Sequence, residues 1–195
     1  MIYIPITNPL RKECEETSIA SFTEMNEACK KGDESCKYIL KVATYHHNEG
    51  IPLRKYFTTW YNEATVLYKL NRYQSKLGIE FSPYLYDWWY VHKGSEVHFY
   101  LLLERFRGDL VSLVGDRKEE DLAYIIAMET MACYLSIIHH DCKLCLNDIK
   151  LKDMLYKEVD VGHYRFVFSN FSSSTRAIHR EDTMAESEKF YDIAL

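Results

Sequence analysis

The chain has 195 residues, 47% of them apolar, and its 24 basic and 29 acidic side chains leave a formal net charge of −5. That is enough apolar material to build a core for one medium domain or two small lobes without disulfides. The acidic balance, with no like-charge run longer than three residues, argues against a general nucleic-acid surface.

The N-terminus MIYIPITNPLRKE has no basic segment leading into an apolar one. No apolar run approaches the roughly 20 residues needed to span a bilayer, so the chain reads as soluble and unsecreted. The six cysteines, at 14, 29, 36, 133, 142 and 145, are scattered, which reads as reduced thiols and not as a disulfide scaffold.

The first forty residues are polar and ambiguous. CKYILKVATY (36 to 45) is a short β-type run that places Lys41 on a strand. In PLRKYFTTWYNEATVLYKLNRY, Phe57, Trp60, Ala64, Leu67 and Tyr68 recur at three- and four-residue spacing, predicting an amphipathic helix with Glu63 beside the apolar stripe. YLYDWWYVHK (84 to 93) and EVHFYLLLERF (96 to 106) predict an antiparallel hairpin closed at Lys93-Gly94-Ser95. A turn at Arg107-Gly108-Asp109 leads into a short helix. A long helix over 119 to 140 follows, with Leu122, Ile125, Met128, Ala132, Leu135 and Ile138 as its buried face.

Next comes the loop LNDIKLKDML, which sets Asp148, Lys150 and Asp153 at offsets of two and five. MLYKEV and HYRFVFSNF, separated by Asp160-Val161-Gly162, predict a second hairpin. From Ser172 to Ser187 the chain is polar without periodicity and reads as a mobile segment. KFYDIAL then begins a new apolar pattern.

An aspartate, a lysine and a second aspartate so close together suit the handling of a phosphate and a metal. The order of strand lysine, helix glutamate, hairpin, Gly-Asp linker, long helix, Asp-x-Lys loop, hairpin and x-Phe-x turn resembles the eukaryotic-type protein kinase fold from about residue 17 onward. The residues carrying the resemblance are ILK with Lys41, NEATVLYKL with Glu63, LLLERFRGDL, LNDIKLKDML and FYDIAL. In style the chain is similar to the divergent small kinases of large DNA viruses.

The resemblance implies an α+β, bilobal fold, with a β-rich N-lobe over 1–104 and a truncated helical C-lobe over 105–195. It implies ATP and magnesium as ligands. Lys41 would contact phosphates while paired to Glu63, and Leu103 would guard an adenine pocket faced by the backbone of Glu104 to Phe106. Asp148 would be the base for a substrate hydroxyl and Lys150 would steady the transferred phosphate. Asp153 and Asn170 would stand at the metal positions, and Asp192 would open the helix after the activation segment.

The departures from the family weigh as much as the matches. The segment SIASFTEMNEAC (18 to 29) lacks the glycines that let backbone amides cover phosphates. Leu146-Asn147 replaces His-Arg, Asp153 replaces an asparagine, and Asn170-Phe171-Ser172 replaces Asp-Phe-Gly, which removes one full charge from the metal site. These losses favour a degenerate kinase, a pseudokinase, that binds a protein partner such as a true kinase or a structural assembly. It would sit in the cytoplasm, or in a virion if the chain is viral. The alternatives are an atypical ATP-dependent Ser/Thr kinase using Asp148, and an assembly component reusing the fold.

Plainer readings stand beside these. Lys41 also suits an exposed edge-strand lysine, Glu63 a solvated helix residue, Asp148 to Asp153 a charged turn, and Asn170 a turn residue. HHDCKLC (139 to 145) offers zinc-type ligands, but no second pair stands at finger spacing. His46-His47 suits a solvated turn. Trp88-Trp89, without basic interleaving, suits packing in the N-terminal sheet better than base stacking.

Overall fold

The computed structural model describes residues 37–46, 52–115, 122–177 and 179–194. The glycine-free segment 18–29, His47 and the predicted helix start at 119–121 lie outside them. Among the described residues the fold is α+β, with four α-helices and three small antiparallel sheets. The chain divides into two compact units. One holds the segment ending at Tyr56 together with Leu85–Arg105, and the other holds Phe57–Tyr84 together with everything from Phe106 onward.

The first unit is a three-stranded antiparallel sheet of β1 (Tyr38–His46), β2 (Leu85–Lys93) and β3 (Glu96–Glu104), in the order β1-β3-β2. The predicted hairpin is present, and Gly94 turns it at φ 62°, a left-handed conformation that a side chain would strain. On the central strand β3, Val97, Phe99, Leu101 and Leu103 are buried at every second position while His98 and Tyr100 are half-buried, as a pleated strand with one packed face requires. Trp89 stacks on its cross-strand partner Tyr100 at 5.1 Å between ring centroids, so this tryptophan packs within the sheet. Lys41 lies on β1 opposite Leu101 and is exposed.

The second unit contains most of α1 (Leu53–Leu77), then α2 (Leu110–Val114), α3 (Leu122–His140) and α4 (Arg180–Ala194). Its sheets are β4 (Gly108–Asp109), β6 (Met154–Asp160) and β7 (His163–Phe168) in the order β4-β6-β7, and the pair β5 (Leu144–Cys145) with β8 (Thr175–Arg176). The helix α1 buries Trp60, Ala64, Leu67 and Leu70 along the predicted stripe. The short α2 is started by Asp109, whose carboxylate accepts from Ser112 N at 2.8 Å while Ser112 Oγ accepts from Asp109 N, a reciprocal cap. Phe81, Leu110, Met131, Met154, Val167, Phe168, Phe171 and Phe190 are essentially inaccessible and form the core.

Four expectations need correction here. Of the expected buried face of the long helix, Met128, Leu135 and Ile138 are buried, but Leu122 and Ile125 are 68% and 45% exposed and Ala132 is half-buried; Tyr124, Ala127 and Met131 complete the buried line. The helix is apolar nearly all round, so its sequence does not single out one face. For the same reason α3 is long and apolar enough, by length and composition, to cross a bilayer, contrary to the expectation that no run comes close. In the fold, its buried line packs in the core of this unit. Finally, the segment from Ser172 onward is not without structure: it forms β8 and most of α4. Asp192 does not open that helix but sits exposed in its last turn.

Candidate functional site

The loop between β5 and β6 is two-sided. Leu144, Cys145, Leu146, Ile149 and Met154 are buried, while Asn147, Lys150 and Lys152 are exposed and Asp148 is half-exposed. The apolar residues anchor the backbone, so the polar ones are presented outward. Asn147 adopts φ 67°, a left-handed turn that asparagine tolerates better than most residues. A single 3₁₀ turn over Leu151–Asp153 then delivers the chain into β6.

Asp148 and Lys150 form an ion pair of 2.5 Å across this turn. The hydrogen bond from Lys150 holds the Asp148 carboxyl below its ordinary range, assisted by the charges of Lys150, Lys189 and Lys152. The same bond raises Lys150. The pair is fully ionised at neutral pH. Half exposed on both sides, it contributes little to stability.

Asp153 faces the other way. Its backbone carbonyl accepts from both Ser169 N (2.7 Å) and Ser169 Oγ (2.9 Å), tying the 3₁₀ turn to the end of β7. Its Oδ1 accepts from Asn170 Nδ2 at 3.3 Å, and Asn170 Oδ1 accepts from Ser172 Oγ at 3.0 Å. The other carboxylate oxygen, Oδ2, is buried without a hydrogen bond. Burial pushes the Asp153 carboxyl up, against the opposing effect of the Asn170 amide. Asn170 is itself left-handed, at φ 63°, with Phe171 fully buried behind it.

A magnesium site would need oxygens converging on one point, usually one or two carboxylates with waters and phosphates. Only Asp153 Oδ2 meets that need. Asn170 presents an N–H toward Asp153 and commits its carbonyl to Ser172, so in this arrangement the two residues do not make a shared magnesium site.

The shape of the loop is set by residues the sequence patterns did not single out. Glu186, buried in mid-α4, accepts from Leu146 N at 2.8 Å, from Asn147 N, and pairs with His139 Nε2 at 2.6 Å. Asn147 Nδ2 donates to Ser173 O (2.7 Å) and Thr175 Oγ1 (2.9 Å), while Asn62 Nδ2 donates to Ser172 O (3.1 Å) and Ser174 O (2.8 Å). Two asparagine side chains thus pin three consecutive carbonyls. A buried glutamate in the polar stretch AESEKF has no periodic signature, so hydropathy alone could not have found it.

Of the zinc-type run, His139 and Cys145 do meet, together with Glu186, within 4.8 Å. Glu186 already accepts three hydrogen bonds, and burial, then Glu186 and Asp182, push the Cys145 thiol up to about 11. As the three side chains stand, Glu186 ties His139 to the backbone of the loop.

The remaining predicted residues are spread over the two units. Lys41, Leu103 and Glu104 belong to the first, where Leu103 faces Ile39 and Leu85 across the sheet and Glu104 ends β3. Glu63 and Phe106 belong to the second; Glu63 is buried on α1, and Phe106 lies under the Arg165 guanidinium at 4.9 Å. Within one unit the fold brings together Asp148 with Lys150 and Asp153 with Asn170. No model of a known protein family matches the chain, and no curated protein matches it.

Proposed function

We propose that this chain is a degenerate, kinase-like protein, a pseudokinase with a β-rich N-lobe over 1–104 and a partial helical C-lobe over 105–195. It acts by holding a protein partner, an active kinase or a structural assembly, and not by transferring phosphate. The resemblance in residue order supports the kinase-like part. The observation that carries the binding part is the Asp153–Asn170 contact: the one carboxylate left at the metal positions accepts an amide N–H where a second carboxylate would be needed. A second reading, an atypical ATP-dependent Ser/Thr kinase with Asp148 as base, draws on the exposure of the Asp148–Lys150 pair, which leaves the carboxylate within reach of a substrate hydroxyl.

Thermal unfolding with ATP, with and without magnesium, separates the two. A ligand that binds only the folded state raises stability by about 2.7 kcal/mol at a hundredfold excess over its Kd. The binding reading expects no magnesium-dependent rise and no labelled phosphate on any acceptor. A magnesium-dependent rise followed by transfer that disappears in Asp148→Ala would overturn it in favour of the enzyme.

A further inference from the structure

A cleft of about 530 Å³ lies in the second unit, away from the catalytic-type loop, lined among others by Gln74, Gly78, Glu80, Tyr84, Tyr134 and Arg165. Gln74 is 94% buried, as its 6% exposure shows, and its orientation is fixed. Its Oε1 accepts three hydrogen bonds, from Phe81 N (2.9 Å), Ser82 N (2.6 Å) and Ser82 Oγ (2.8 Å). With the carbonyl so committed, the Nε2 group is turned away from Phe81 N and Ser82 N, and no described group accepts from it. A buried carboxamide held by its oxygen therefore offers two N–H donors to the cleft that it lines.

The second donor is Arg165. Its guanidinium lies 4.9 Å from the Phe106 ring centroid, and it is paired through Nη1 with Glu80. Glu80 is the more exposed partner of this pair: it is 57% exposed and follows the Gly78 turn, at φ 68°. Tyr134, whose phenol is raised by burial and so stays protonated at neutral pH, feels both charges of this pair, and Tyr84 lines the same cleft. Fixed donors, one guanidinium and aromatic walls match the chemistry of a planar acid.

We propose that this cleft binds a carboxylate, taken up by Arg165 in exchange for Glu80 and by the Gln74 amide, with the attached group against the tyrosine rings. The exchange leaves Arg165 with one carboxylate partner and releases Glu80, 57% exposed, to solvent. It also supplies what Glu80 does not, a second contact to a preset donor. Two sources share this chemistry, a free aromatic acid and a glutamate side chain of a peptide. The proposal does not rest on the kinase-like reading.

The test is a titration of the full ¹⁵N-labelled chain, following the Gln74 side-chain amide and the backbone amides of Gly78 to Glu80. Three probes are compared: benzoate, its neutral isostere benzamide, and a blocked Glu-Tyr peptide amide. Saturable shifts with benzoate and not with benzamide are expected; shifts with benzoate alone assign a small acid, and stronger ones with the peptide assign a glutamate side chain. Glu80→Ala, at an exposed position, removes the competing carboxylate and is expected to tighten benzoate binding by about five- to tenfold. Gln74→Glu keeps an acceptor for Phe81 and Ser82 but faces the ligand with an anion, and is expected to abolish binding. Equal response to benzamide, absence of saturation, or no tightening in Glu80→Ala would each overturn the proposal.

Discussion

At the scale of single residues, the most telling group is the Asp153 carboxyl, which has one oxygen on an amide and the other buried with nothing to bond. Burial raises its proton affinity in the folded chain, so the folded state binds this proton more tightly than the unfolded state. The consequence has a definite sign. Stability from this group is greatest below the ordinary aspartate value, falls as pH rises through the elevated folded value, and stays reduced at neutrality. Asp153→Asn keeps an oxygen for Asn170 and removes the charge. It is expected to unfold at a higher temperature than the parent at pH 7 and to lose that advantage in acid; a difference that does not vary with pH would show that the charge is not the cause. The Asp148–Lys150 pair was legible as a motif because its residues stand two apart on an exposed turn. The Asn170–Asp153 contact was legible only as two suspicious positions, since nothing in the sequence tells which way an amide turns.

Among the elements, α4 was the least legible and proves to be the most consequential. Its buried side includes the charged Glu186 as well as the apolar Phe190, so a search for apolar periodicity passes it over. The strands and hairpins were read well because alternation and glycine turns leave a clear pattern, and α1 because its stripe is flanked by polar residues. The helix α3 is legible but its face only in part, Met128, Leu135 and Ile138 being buried and Leu122 and Ile125 exposed, because apolar residues surround it. Glu186→Ala removes the acceptor from Leu146 N, Asn147 N and His139 at once. Loss of one partner of a buried pair costs about 3–5 kcal/mol. For a chain of this size the melting temperature is expected to fall by on the order of 10 °C. Exchange of the Asn147 amide should then accelerate more than that of core amides in α3; uniform acceleration would mean that Glu186 supports the unit globally and not the loop in particular.

For the whole molecule, the question is whether a single added charge creates a magnesium site. Asn170→Asp sets a carboxylate against Asp153, where like charges repel in the absence of a cation. In chelator, the variant is expected to melt lower by a few degrees, about 1 kcal/mol. Millimolar magnesium is expected to reverse the loss, and ATP to add a further rise. If magnesium leaves the variant unchanged, the two positions do not form a latent metal site. Lys41, Leu103 and Glu104 lie in the first unit and Asp148, Lys150, Asp153 and Asn170 in the second.

The Glu186 clamp and the left-handed turn at Asn147 are written mostly in contacts to main-chain groups. None of them depends on what the side chains at 148 and 150 are. Shape and reactivity in this loop are therefore separately heritable: substitutions at the outward positions can erase, alter or rebuild chemistry while the scaffold that presents them persists. A loop organised in this way keeps its outline whatever side chains stand at its outward positions.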